Sequence, residues 1–106
     1  MLIELREYTV QPGKRDEWVK MMEEEIIPFQ IQNGIAVLGS FIAENNDDTY
    51  IWMRRFDDEA DRVKKYAAVY ESDHWKNVLL PKVVGLVFRE KHRITRLVPT
   101  HLSPIH

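Results

Sequence analysis

Residues 4–14, ELREYTVQPGK, decide the fold. Side chains alternate along a strand, so one beginning at Leu2 puts Leu2, Glu4, Arg6, Tyr8 and Val10 on one face and Ile3, Leu5, Glu7 and Thr9 on the other. A carboxylate and a guanidinium therefore stand among apolar residues on the first face. Pro12-Gly13 ends the strand, because proline brings no donor to a ladder and glycine permits the turn.

Beyond that turn, Trp18, Met21, Met22, Ile26 and Phe29 recur at spacings of three and four, opposite Glu17, Lys20 and Glu24. The pattern predicts an amphipathic helix over residues 14–30, kinked or ended near Ile27 by Pro28, with Asn33-Gly34 as a final stop. Residues 35–44 and 49–56 are rich in β-branched and aromatic side chains and are separated by Asn45, Asn46, Asp47 and Asp48, the signature of an antiparallel hairpin. Asp57 or Asp58 caps a second helix over residues 59–70, with Val63, Tyr66, Ala67 and Tyr70 on one face. Ser72 or Asp73 caps a short helical piece, HWKNVLL, which Pro81 stops, and residues 83–97 read as a long last strand.

The order strand, helix, strand, strand, helix, strand predicts an α+β, ferredoxin-like βαββαβ domain over residues 1–98, with both helices on one face of a four-stranded antiparallel sheet. Residues 99–106, PTHLSPIH, are expected to form a flexible tail. Ile51 and Met53 oppose Tyr50, Trp52 and Phe56 in the third strand, and Val37 and Phe41 oppose Leu38 and Ile42 in the second. Both faces of the sheet are thus apolar, while the helices cover one. A homodimer whose sheets close on each other into an α/β barrel is the simplest cover.

The bulk composition removes several classes of function. The chain has 106 residues, enough for one core, and no cysteine, so disulfides, thiolate metal sites and cysteine nucleophiles are excluded. Fifteen basic and seventeen acidic residues, interspersed, give a formal charge of -2 and no footprint for nucleic acid. Apolar runs such as residues 83–88 are far too short to span a bilayer, mean hydropathy is -0.40, and charge among the first residues argues against a signal peptide. No membrane partner is expected, and the cytoplasm is the expected compartment. The histidines His74, His92, His101 and His106 show no metal-ligand spacing, so neither a metal nor a cofactor is expected.

ELREYTVQPGK resembles the opening strand of NIPSNAP proteins, an E-L-R-x-Y pattern followed by a Pro-Gly turn and a helix. YIWMRRFDDEADR is similar to their third strand and the following helix start, and Trp75 in SDHWKN and the basic closing strand around Arg93 also match, so the resemblance covers residues 1–97. It implies the dimeric α/β-barrel superfamily, whose members include small monooxygenases, haem-degrading enzymes, isomerases and proteins without an assigned activity. It implies no settled reaction.

Arg6, Tyr8, Trp52 and Arg54 form the main cluster, since neighbouring first and third strands would bring them to one floor. Arginine offers a planar fork for carboxylate or phosphate, and the aromatics offer apolar walls with polar tips. The structural alternative pairs Arg6 with Glu4 or Glu90 and spends the aromatics on packing. Trp18, Met22, Trp52, Tyr66 and Trp75 would wall a cleft between sheet and helices that takes a small organic ligand. Arg6, Tyr8 or His74 would polarise a carbonyl or move a proton. Glu90 and His92, two apart on the expected last strand, are a lesser acid and base pair. Three functions compete: ligand binding without a named activity, a cofactor-independent monooxygenase or isomerase, and a non-catalytic dimeric interaction module.

Overall fold

In the computed structural model, which describes residues 1–106, β1 (Leu2–Thr9) runs antiparallel to two neighbours, β3 (Thr49–Phe56) and β4 (Arg93–Leu97). β2 (Ala36–Ile42) lies outside β3, giving the order β2-β3-β1-β4. This is the ferredoxin-like sheet that the sequence predicts. Register places Leu2 opposite Phe56, Glu4 opposite Arg54, Arg6 opposite Trp52 and Tyr8 opposite Tyr50. Those pairs face the helices and form the buried floor. No helix is long and apolar enough to cross a membrane.

The first helical arm begins with α1 (Arg15–Met21), widens through a π-helical turn at Met22–Ile26 and continues as α2 (Ile27–Gln32). Pro28 therefore does not end it. In a regular helix a proline lacks the donor and its ring strikes the carbonyl four residues back. Here the amide of Ile27 reaches back five residues to the Met22 carbonyl, and Pro28 falls in the first turn of α2, where no donor is needed. The second arm repeats the device. A π turn at Trp75–Leu79, closed by Leu80 N–H to the Trp75 carbonyl, leads into α4 (Leu80–Leu86), with Pro81 in its first turn.

The expected stop at Pro81 and the expected strand over residues 83–97 are thus both corrected. Leu79, Val83 and Leu86 are buried at spacings of four and three, a helical stripe inside an apolar run too dense to show its period by composition. A 3₁₀ turn at Arg89–Lys91 follows, and only residues 93–97 form the strand, so Glu90 and His92 do not share a strand face. Between the arms, α3 (Glu59–Tyr70) starts on Asp58, whose carboxylate accepts from the Asp61 amide at 2.8 Å, while the Asp61 carboxylate accepts from the Asp57 amide at 2.9 Å.

β2 carries a second correction. A bulge between Val37 and Gly39 puts Val37 opposite Arg54 on the helix side but Phe41 opposite Ile51 on the open side, so the two do not share a face. The extra residue resets the alternation. A Cβ on Gly39 would lie 2.5 Å from the far edge of the Phe41 ring, so a larger residue there would have to turn that half-exposed side chain aside. The open side carries Leu5, Ile51, Met53 and Phe41, with Phe41 52% exposed. After Leu97 the chain forms no helix or strand, and a Ser103 N–H to Thr100 carbonyl bond makes one turn.

Candidate functional site

The floor charges are linked by hydrogen bonds. Arg54, fully buried, donates from Nη2 to Glu4 Oε1 at 2.5 Å and to the Tyr66 hydroxyl at 2.6 Å, and from Nη1 to Gln30 Oε1 at 2.9 Å and the Tyr70 hydroxyl at 2.8 Å. Its guanidinium lies 4.7 Å from the Trp52 ring centre and 4.9 Å from that of Tyr66, a cation–π cage. Tyr66 in turn donates to Glu4 Oε2 at 2.5 Å. Burial pushes the Glu4 carboxyl up, but the Arg54 guanidinium, with hydrogen bonds from Arg54 and Tyr66 and the charge of Arg6, overcomes that and holds it below the usual carboxylate range. Glu4 is an anion committed to its partners.

Arg6 is bound less completely. Its Nε donates to the Tyr8 hydroxyl at 2.7 Å, and Nη1 donates to Glu4 Oε1 and the Tyr66 hydroxyl, both at 3.2 Å, leaving Nη2 without a protein partner. Burial opposes its charge, but the Tyr8, Tyr70 and Tyr66 hydroxyls and Glu4 hold its pKa above the ordinary arginine value. Burial raises the tyrosines: Tyr8 moves up against the pull of Arg6, and Tyr66 is pushed up to about 12 against the pull of Arg54. Both are neutral hydroxyls at physiological pH.

Above Arg6 lies a cavity of about 300 Å³. Its floor is Arg6, Tyr8 and Trp52 from β1 and β3; Trp18, Met22 and Ile26 come from the first arm, Tyr66 and Tyr70 from α3, and Trp75 and Val83 from the second arm. Arg89 and His92, from the segment joining α4 to β4, complete the lining. Met22 and Trp75, the first residues of the two π turns, both line the cavity, so each widened turn directs a side chain into the wall.

Seven of the residues expected from the sequence thus come together: Arg6, Tyr8, Trp18, Met22, Trp52, Tyr66 and Trp75. Arg54 supports them from below, outside the lining. His74 does not join them. It is exposed beside the Phe29 ring, edge to face at 4.8 Å, because the π turn that carries Trp75 inward leaves its neighbour outside. The alternative pairing of Arg6 is realised with Glu4 and not with Glu90.

Sequence reasoning missed Ile26, Tyr70, Val83, Arg89 and His92 as lining residues. Tyr70, four residues after Tyr66, was visible as part of the same helix face. His92 is singled out by the sequence only as a partner of Glu90 on a strand that does not extend that far. Its imidazole stacks on the Tyr8 ring with centroids 3.8 Å apart, and its Nε2 is buried without a hydrogen-bond partner. Burial first, then the charges of Arg6 and Arg89, push its pKa down to about 4 against a smaller opposing effect of Glu90, so the ring is uncharged at neutral pH.

The polar groups of the site are mostly donors. Neither the Tyr8 nor the Tyr70 hydroxyl proton has a protein acceptor, and Arg6 Nη2 is free. Glu4, the one carboxylate here, already serves two guanidiniums and one hydroxyl. Buried donors without acceptors are costly. A guest rich in oxygen acceptors answers that deficit.

The NIPSNAP family model matches residues 3–104. Similar solved structures include a NIPSNAP family protein from Agrobacterium tumefaciens, 26% identical with a TM-score of 0.86 over 99% of this chain and 98% of that one. An uncharacterised NIPSNAP domain protein from Burkholderia xenovorans is 22% identical, with a TM-score of 0.85 over 98% and 99%. A putative antibiotic biosynthesis monooxygenase from Nitrosomonas europaea shares the fold at 9% identity, TM-score 0.69, over 93% and 98%. No curated protein matches the chain.

Proposed function

The chain belongs to the NIPSNAP family, and from that premise we propose that it binds a small, flat organic anion, such as an aromatic carboxylate, in the cavity between sheet and helices. The observation that carries the reading is the charge count on the floor: Arg6 and Arg54 share one carboxylate, Glu4, beneath neutral tyrosines. One positive charge is left over, and Arg6 holds it with Nη2 unpaired. A monoanion neutralises it and accepts from the spare donors, while Trp18, Trp52 and Trp75 give the ring an apolar enclosure. Arg6 orients the carboxylate, and Tyr8 donates to it.

Thermal unfolding with phenylacetate and with its neutral amide tests this. Phenylacetate raises the Tm of the wild-type protein and the amide does not, while Arg6→Met abolishes the shift. Equal shifts for acid and amide, or a shift that survives Arg6→Met, would remove the anion site.

The same reading includes a homodimer formed through the open face of the sheet. Support comes from Phe41, Ile51, Met53 and Leu5, an apolar strip that no helix of the same chain covers.

A further inference from the structure

We propose that His92 is the base of a proton-transfer site, and that the protein catalyses keto–enol exchange in an aryl-substituted 2-oxo acid bound at Arg6. The proposal rests on the anion-binding reading above and adds a reaction and a substrate class to it. Of the ionisable groups at the cavity and beneath it, Glu4 is committed to Arg54, Arg6 and Tyr66, and Tyr8 and Tyr66 keep their protons. Arg6 and Arg89 are cations. His92 alone is a neutral base, with neither ring nitrogen engaged in a protein hydrogen bond and its plane fixed by the stack on Tyr8.

The groups around it suit a carbanion next to a carbonyl. Tyr8, whose ring holds His92, offers a free hydroxyl proton, and that hydroxyl is itself polarised by Arg6 Nε at 2.7 Å. With the substrate carboxylate on Arg6, the carbonyl oxygen meets Tyr8 and the adjacent CH₂ meets the imidazole. The C–H bond breaks, its proton passes to His92 Nδ1, the ring nitrogen that is not enclosed, and the electron pair moves through the new C=C bond onto the carbonyl oxygen. The resulting enolate oxygen is held by Tyr8 O–H and the Arg6 guanidinium. Return of the proton to oxygen gives the enol, and its return to carbon restores the ketone, so no oxidant, reductant or second substrate enters.

Charge couples binding to basicity. Arg6 and Arg89 lower the proton affinity of His92, Glu90 raises it, and Lys91 stands beside it in the chain. A carboxylate bound to Arg6 offsets the first of these and makes the imidazole a stronger base only when substrate is present.

The experiment follows deuterium incorporation at the CH₂ of phenylpyruvate by NMR in deuterated buffer at neutral pH, with thermal unfolding on the same samples. Exchange at least about a hundredfold faster than in buffer is expected for the wild-type protein. His92→Phe, which keeps an aromatic ring on Tyr8, and His92→Gln should lose that acceleration while phenylpyruvate still raises their Tm. A wild-type protein that is stabilised by phenylpyruvate yet exchanges no faster than buffer would overturn the proton transfer and leave the binding site standing. Absence of any Tm shift with either phenylpyruvate or phenylacetate overturns both. Exchange that survives both substitutions would remove His92 from the reaction.

Discussion

Arg6 and Arg54 stand on the same face two strands apart in sequence, yet their loss has different consequences. Glu4 keeps Arg54 and Tyr66 when Arg6 is removed, so Arg6→Met strands no carboxylate and should lower stability by about 1 kcal/mol. Arg54→Met leaves Glu4 buried with a weaker partner and unpairs Gln30 and Tyr70, and should cost about 3 kcal/mol or more in urea denaturation. Glu4 also sets an acid limit. Its folded pKa is depressed, so its contribution is complete above its ordinary value of 4.5 and is lost as pH falls toward the folded value. His92 acts over a higher window. Its pKa falls from 6.5 to about 4 on folding, so the unfolded chain takes up that proton first and stability declines as pH drops from 6.5 to 4. His92→Phe should flatten this part of the stability profile relative to wild type, and an unchanged slope would show that the imidazole is not buried as described. Arg6, Tyr8, Trp52 and Arg54 were legible in the sequence because strand alternation assigns a face from position alone. Arg89 was not, and His92 was read only as a strand partner of Glu90, because both lie in an irregular connection where no period assigns a direction.

Elements were legible where their period was clean and illegible where a proline or a bulge reset it. α3 shows its helical face and its acidic cap directly in the sequence, and Asp58→Ala should lower stability by about 1 kcal/mol through loss of the bond to the Asp61 amide. Thermal or urea unfolding checks this. Pro28 and Pro81 read as stops, because the wide turn that admits each of them depends on carbonyl placement in the preceding turn, which residue identity does not encode. Each π turn begins six residues before its proline, at Met22 and at Trp75, and both residues reach the cavity. The elements most difficult to read are therefore those that shape the site. The bulge at Gly39 has a similar effect on the open face, since it turns Phe41 outward beside Ile51 and away from the face of Val37.

At the scale of the whole molecule, the helices close one side of the sheet and leave Leu5, Phe41, Ile51 and Met53 on the other. A dimer burying at least about 1,000 Å² in total is expected. Phe41→Asp, at a half-exposed position of the open face, should give a folded monomer by light scattering at micromolar concentration; a wild-type chain that is already monomeric there would contradict the dimer. The central claim is that the cavity accepts an organic anion at Arg6, and the chain carries its own reporter. Its tryptophans number three, Trp18, Trp52 and Trp75, and all line that cavity. Titration with phenylacetate, followed by tryptophan fluorescence, should give a saturable change in the wild-type protein and none in Arg6→Met. Fluorescence that does not respond at millimolar acid, or that responds equally in Arg6→Met, would contradict the account.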